Sequence, residues 1–257
     1  MSETAYIPAS GLTGKVKRLA ARALSQRPLT IRLNAPLVSF TFDDFPKSAA
    51  AVAAPLLEAQ GWTATYFTAG GFAAGATHHG AMFDAADLAR LAAAGHEIGC
   101  HTFSHLDAGG ATTEAFLADV DKNSAFLAGQ GLAPAATTFA FPFGEATPAL
   151  KRRLSERFAL LRGVRPGINR GRADRALLKA VPLDGGLNGL QRALDAVREA
   201  ARTPGWLIFY GHDVQDNPTQ WGCTPQFLSA VIEAVAASQA EVRTMAGALE
   251  RIEARRP

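Results

Sequence analysis

The sequence predicts a single α/β domain built on a parallel sheet or barrel. Short runs rich in β-branched and aromatic residues alternate with Ala/Leu-rich helical stretches, and repeated β-then-α order joins parallel strands through crossover helices. Gly61, Gly95, Gly131 and Gly205 each stand between a helical stretch and the next strand, where a helix end favours a residue tolerant of positive φ. No repeat, low-complexity linker or composition break interrupts the chain after residue 36. Strands are expected at 37–42, 63–67, 96–100, 137–141, 159–162, 178–182 and 206–210. Helices are expected at 47–60, 85–94, 113–129, 147–157, 187–202, 224–237 and 244–254.

Composition narrows the class. With 257 residues, 48% hydrophobic and 19% charged, the chain is long enough for one large core. No apolar run approaches the roughly 18 residues that span a bilayer. MSETAYIPAS lacks the basic-then-apolar pattern of a secretory signal, so the expected location is the cytoplasm, with a processed mature form as the alternative. Cys100 and Cys223 are too few for a disulfide framework and are expected to be reduced packing residues.

Charge separates an arm, 1–36, from a body, 37–257. Residues 1–36 hold six Lys and Arg against Glu3 alone, a local +5 that leaves −2 for the rest of a chain whose total is +3. Within the arm, GKVKRLAARAL places Val16, Leu19, Ala20 and Ala23 on one helical face flanked by Lys15, Arg18 and Arg22. Such a helix either closes one end of the core or docks on an anionic membrane surface. No basic stripe interleaved with aromatics appears, so no nucleic acid partner is expected.

The body's chemistry gathers at strand ends. Asp43 and Asp44 close LVSFTFDDFP, and two adjacent carboxylates beside an apolar strand need a cation or a shared proton nearby. HTFSH at 101–105, FPFG at 141–144 and GHD at 211–213 also follow predicted strands, the end at which β/α barrels carry their sites. A helical turn after residue 100 would aim His101 and His105 one way, and two histidines with an aspartate suit a divalent transition metal with positions open for water and substrate. His96 is expected at the start of its strand, away from this rim, and His78 and His79 are expected to face water. GLTGK at 11–15 lacks the spacing of a P-loop.

TFDD, HTFSH, FPFG and IFYGHD, in this order and spacing, resemble the polysaccharide deacetylases, the NodB-homology family or carbohydrate esterase family 4, over residues 37 to about 245. The resemblance implies a distorted (β/α) barrel and metal-dependent removal of an N-acetyl group from an amino sugar in a glycan, glycolipid or sugar precursor. It implies Asp43 as catalytic base, Asp44, His101 and His105 as metal ligands, the Phe143 backbone N–H as oxyanion donor and His212 as general acid. The expected cofactor is one divalent ion, foremost Zn2+, with other transition metals as alternatives.

The sequence departs from the family pattern at Ala140 and Phe45, and it shows no clear fourth motif. Ala140 stands where the third motif usually has an arginine that orients the base; Arg165 in GVRPGIN either supplies that guanidinium from another loop or is a solvated surface arginine. Phe45 stands where the family commonly has glycine, a bulk expected to narrow the cleft. Trp221 either stacks on a sugar face or packs its own loop. Hydrolysis of a different amide on the same fold and non-catalytic glycan binding are the alternative functions.

Overall fold

The structure, a computed structural model, describes residues 12–132 and 136–254. Residues 1–11 of the arm, Glu3 among them, lie outside the described residues, as do the side chains of Lys15 and Lys17.

The strands are β1 (Pro28–Ile31), β2 (Leu37–Phe42), β3 (Thr65–Thr68), β4 (Ala76–Thr77), β5 (Gly80–Ala81), β6 (Glu97–Cys100), β7 (Thr138–Ala140), β8 (Leu160–Arg162), β9 (Gly171–Asp174), β10 (Val181–Pro182), β11 (Trp206–Gly211) and β12 (Glu241–Val242). The helices are α1 (Leu12–Ala23), α2 (Ala54–Glu58), α3 (Ala85–Ala93), α4 (Thr113–Gly129), α5 (Pro148–Leu154), α6 (Gly189–Arg202), α7 (Pro225–Ala237) and α8 (Met245–Glu253). Each expected helix and strand of the body has a counterpart. The helix expected at 47–60 starts as a π-helical turn, Ala49–Ala53, before continuing as α2. The β1–β9 antiparallel pair and the β4–β5 hairpin were not expected.

The main sheet runs β10-β11-β2-β3-β6-β7-β8, all parallel, with β12 beside the first half of β2. It curls until the chain before β10 meets β8: Leu178 N–H donates to Leu161 O at 2.9 Å and Gly163 N–H to Leu178 O at 3.0 Å. The result is the expected distorted barrel in a single α/β domain.

Period-two alternation sorts the side chains. Val38, Phe40 and Phe42 of β2 and Leu207 and Phe209 of β11 face the cluster beneath the surrounding helices. Leu37, Phe67, Ala140, Leu160, Trp206 and Ile208 fill the interior, with Met245, Ala248, Leu249 and Ile252 of α8 in the same cluster. The Ala246 N–H at the start of α8 donates to Glu97 at 2.9 Å, at the N-terminal end of β6, so α8 stops that end of the barrel. Gly99 leaves room inside: a Cβ there would meet the Phe67 ring at 2.5 Å. Continuing the alternation past the apolar layer puts Asp43, His101, Arg162 and His212 at inward positions of the opposite end.

The arm is tied to the body at its C-terminal part. Lys151 Nζ of α5, fully buried, donates to Ala21 O at 2.7 Å and Leu24 O at 3.0 Å and pairs with Asp174, and Arg18 meets Glu145 at 3.2 Å. Among the described side chains of α1, Ala21 is the buried one; Val16 and Leu19 are 60% and 64% exposed, so the face expected to pack is turned outward. Among the described residues no helix is long and apolar enough to cross a membrane.

Candidate active site

The two aspartates diverge because the backbone turns at Asp44 itself. Asp43 N–H still donates to Gly211 O of β11 at 2.8 Å, in line with the sheet. Phe45 N–H then returns to Asp43 O at 2.5 Å, with Asp44 and Phe45 at φ 58° and 68°. Positive φ costs a non-glycine residue of order 1–3 kcal/mol, so the surrounding structure must hold this turn. Thr102, His105 and Phe143 also have positive φ, which makes the barrel mouth the most strained backbone of the described chain.

Asp43 faces inward to Arg162. Both carboxylate oxygens accept from Arg162 Nη2, at 2.6 and 2.5 Å, and both residues are buried. The guanidinium lies over the Phe67 and Tyr210 rings at 5.1 and 5.3 Å, and its Nη1 donates to Gly163 O. Arg162 is the register partner of Ala140 across β7 and β8. The guanidinium absent from position 140 therefore arrives at the same height from the next strand. Arg165, expected in that role, is exposed on the loop beyond β8 and does not reach Asp43. Its position past the strand end takes it out of the inward register.

Asp44 turns to the histidines. Its Oδ1 lies 3.5 Å from His101 Nε2 and 3.3 Å from His105 Nε2 and is buried without a hydrogen-bond partner. His101 Nδ1–H donates to Ala140 O at 2.8 Å; a carbonyl only accepts, so Nδ1 is committed there and Nε2 is the nitrogen turned toward Asp44. No helical turn carries His105. Instead Asp119 of α4 accepts from Phe103 N–H, Ser104 N–H and Ser104 Oγ, at 2.8, 2.9 and 2.6 Å, and bends HTFSH back on itself. Burial pushes the His105 imidazole down to about 4, against the pull of Asp44, and the Phe143 ring meets it edge-on at 4.3 Å.

These three residues fit a divalent cation. Ligand atoms around a tetrahedral ion with bonds of about 2.0–2.1 Å stand about 3.4 Å apart, close to the two distances to Asp44 Oδ1. A buried carboxylate oxygen without a hydrogen-bond partner, facing two ring nitrogens, is costly without one. Burial works against ionising Asp44, yet His105, His101, His212 and His79 together hold its carboxyl below the usual range.

His212 and His79 complete the mouth. His212 Nδ1–H donates to Trp221 O at 3.2 Å, and desolvation lowers its imidazole. His79, expected in water, is 2% exposed: the β4–β5 hairpin folds its tip inward, stacking His79 on His212 at 4.8 Å and 8° and placing its Nε2 3.6 Å from Asp44 Oδ2. His79 Nδ1–H donates to Asp213 at 2.9 Å. Asp213 is buried, which disfavours its charge, but hydrogen bonds from His79 and Thr219 hold its carboxyl below the usual range. His78 is exposed, and His96 is bonded to Glu58 and Ala64 at the far end of β6.

The remaining expected residues divide. Phe45 does not line a cleft; it is fully buried, stacked on Phe83 at 4.7 Å and against Tyr66 at 5.0 Å, because the turn swings its side chain into the outer core. Trp221 is 41% exposed at the rim beside His212. Both cysteines are free and buried.

A model of the polysaccharide deacetylase family matches residues 31–157, which include Asp43, Asp44, His101, His105 and Phe143. The chain belongs to the polysaccharide deacetylase family. Arg162, His212 and Asp213 lie beyond the matched residues. Several solved structures share the fold. A chitin deacetylase from the fungal pathogen Colletotrichum lindemuthianum superposes with TM-score 0.61 at 16% identity, covering 87% of this chain and 91% of that one. A family 4 acetyl xylan esterase from Clostridium thermocellum, in complex with a cobalt ion, gives 0.57 at 23% identity over 85% and 92%. A family pseudoenzyme from Bacillus anthracis gives 0.57 at 15% over 88% and 70%. Comparison with curated protein sequences returns no match.

Proposed function

We propose that this polysaccharide deacetylase family member removes an N-acetyl group from an amino sugar in a glycan, glycolipid or sugar precursor, with one divalent cation, foremost Zn2+, held by Asp44, His101 and His105. The observation that carries this reading is the division of labour at the barrel mouth: Asp44 faces the histidines while Asp43 stays apart on Arg162. When bound, the cation would polarise the acyl carbonyl and acidify water. Arg162 holds the Asp43 carboxylate aimed inward, so Asp43 takes the proton of the attacking water. The Phe143 backbone N–H, at the φ 57° turn of FPFG, supports the oxyanion that forms at the carbonyl. His212, oriented by Trp221 O, gives a proton to the departing amine. The Trp221 indole stands where a sugar face could stack.

The non-catalytic alternative rested on the arginine absent at position 140, and Arg162 removes that support. Acetate release from a panel of N-acetyl sugars and other acetamides tests the activity and sorts the substrates. Activity is expected to vanish on chelation and return with zinc, and elemental analysis of protein purified without added metal is expected to find one ion per chain. Turnover indifferent to chelation would overturn the metal role.

We further propose that the chain is cytoplasmic and works near an anionic membrane surface. The support is the outward face of α1, where exposed Val16 and Leu19 are flanked by basic residues of the arm. Anionic vesicles are expected to bind the full chain more tightly than a chain lacking residues 1–26, with salt weakening the difference. Equal binding of the two forms would leave α1 as packing.

A further inference from the structure

We propose that Asp44 Oδ2, His79 Nε2 and His212 Nε2 form a second divalent-cation site, bridged by the Asp44 carboxylate to the site of His101 and His105. The proposal goes beyond the deacetylase reading and rests on one part of it, that the first set holds a cation. The two oxygens of Asp44 face different ways: Oδ1 meets His105 and His101 at 3.3 and 3.5 Å, whereas Oδ2 meets His79 Nε2 at 3.6 Å. Each set brings its three ligand atoms within 4.8 Å of one another, and Asp44 is the residue common to both.

The outer nitrogens are already used. His79 Nδ1 is bonded to Asp213 and His212 Nδ1 to Trp221 O, so Nε2 is the nitrogen each ring has left for an ion. At 3.6 Å, His79 Nε2 and Asp44 Oδ2 are too far apart for a hydrogen bond. That separation is close to the spacing of about 3.4 Å expected for two ligands of one ion. The Asp213–His79 bond is the outer support that ligating histidines usually have.

The second ion binds more weakly than the first. Two cations then share one carboxylate, because the charge of Asp43 is already taken up by Arg162. Occupancy has a chemical consequence: a cation on His212 Nε2 occupies the nitrogen that gives its proton to the leaving amine. Filling the second site therefore stops turnover.

Calorimetric zinc titration of the stripped full chain, with anomalous diffraction from zinc-soaked crystals, tests this. The expected result is two ions per chain about 3.5–4 Å apart, as in carboxylate-bridged pairs, and acetate release that rises with the first equivalent and falls with the second. His79→Ala is expected to bind one ion, at the first position, and Asp213→Asn to weaken the second ion by about 10–100-fold. One ion in wild type and His79→Ala alike overturns the second site and leaves the deacetylase reading standing. No ion in wild type overturns both.

Discussion

Asp43→Asn is expected to keep its metal and lose its reaction, whereas Asp44→Ala loses both. The side chains are alike and adjacent, but the turn at Asp44 gives them different neighbours. Asparagine at 43 keeps the size and leaves the Asp44–His101–His105 set untouched, since no atom of Asp43 belongs to it. It removes the base, so turnover falls by about 10²–10⁴-fold, the scale of general acid–base catalysis, and added zinc does not restore it. Alanine at 44 removes the oxygen that both histidines face, so metal content falls and a large excess of zinc recovers part of the rate. Elemental analysis and acetate release on both variants check this together. Loss of metal from Asp43→Asn with retention in Asp44→Ala would exchange the two roles.

Arg162→Met is expected to cost about 3–5 kcal/mol of stability, the penalty for leaving one charge of a buried pair without its partner. Arg162 is fully buried and Asp43 nearly so, and the carboxylate loses two charge-assisted hydrogen bonds. The sign follows from isolation of the anion, so the double variant Arg162→Met with Asp43→Asn recovers most of the stability while remaining inactive. Urea unfolding of the single and double variants measures it. A single variant as stable as the parent would mean that the pair contributes orientation alone.

The fold was legible because β2, β6, β7, β8 and β11 lie in repeated β-then-α order, and β2, β6, β8 and β11 run into Asp43, His101, Arg162 and His212 at the same mouth. The short pieces were not legible. Strand β1 has only four residues and finds its partner β9 some 140 residues later, and β4 and β5 have two each, below any periodic signal. The same blindness hid His79. Its role depends on a hairpin whose tip folds over the site, and THHG reads as a solvated turn. Arg162 was legible in principle: it ends FALLR at the inward step of its strand, as Asp43 ends LVSFTFD. Attention to the motif position, 140, drew the expectation to Arg165 instead. Phe45 misled in the opposite sense, because a bulky residue after the carboxylates suggests a cleft wall until the positive φ at Asp44 rotates it into the core.

The hydrogen bonds that aim His101 and His212 end on main-chain oxygens, those of Ala140 and Trp221. A carbonyl is present whatever side chain the codon specifies, so point mutation at 140 or 221 leaves both imidazoles aimed; only changes in chain length or path disturb them. His79 is held by the side chain of Asp213, which one nucleotide change can delete. Inheritance therefore bears unequally on the three rings: descendants of this gene can discard or regain the third one by single substitutions, while the other two are vulnerable to insertions and deletions in the segments that follow β7 and β11.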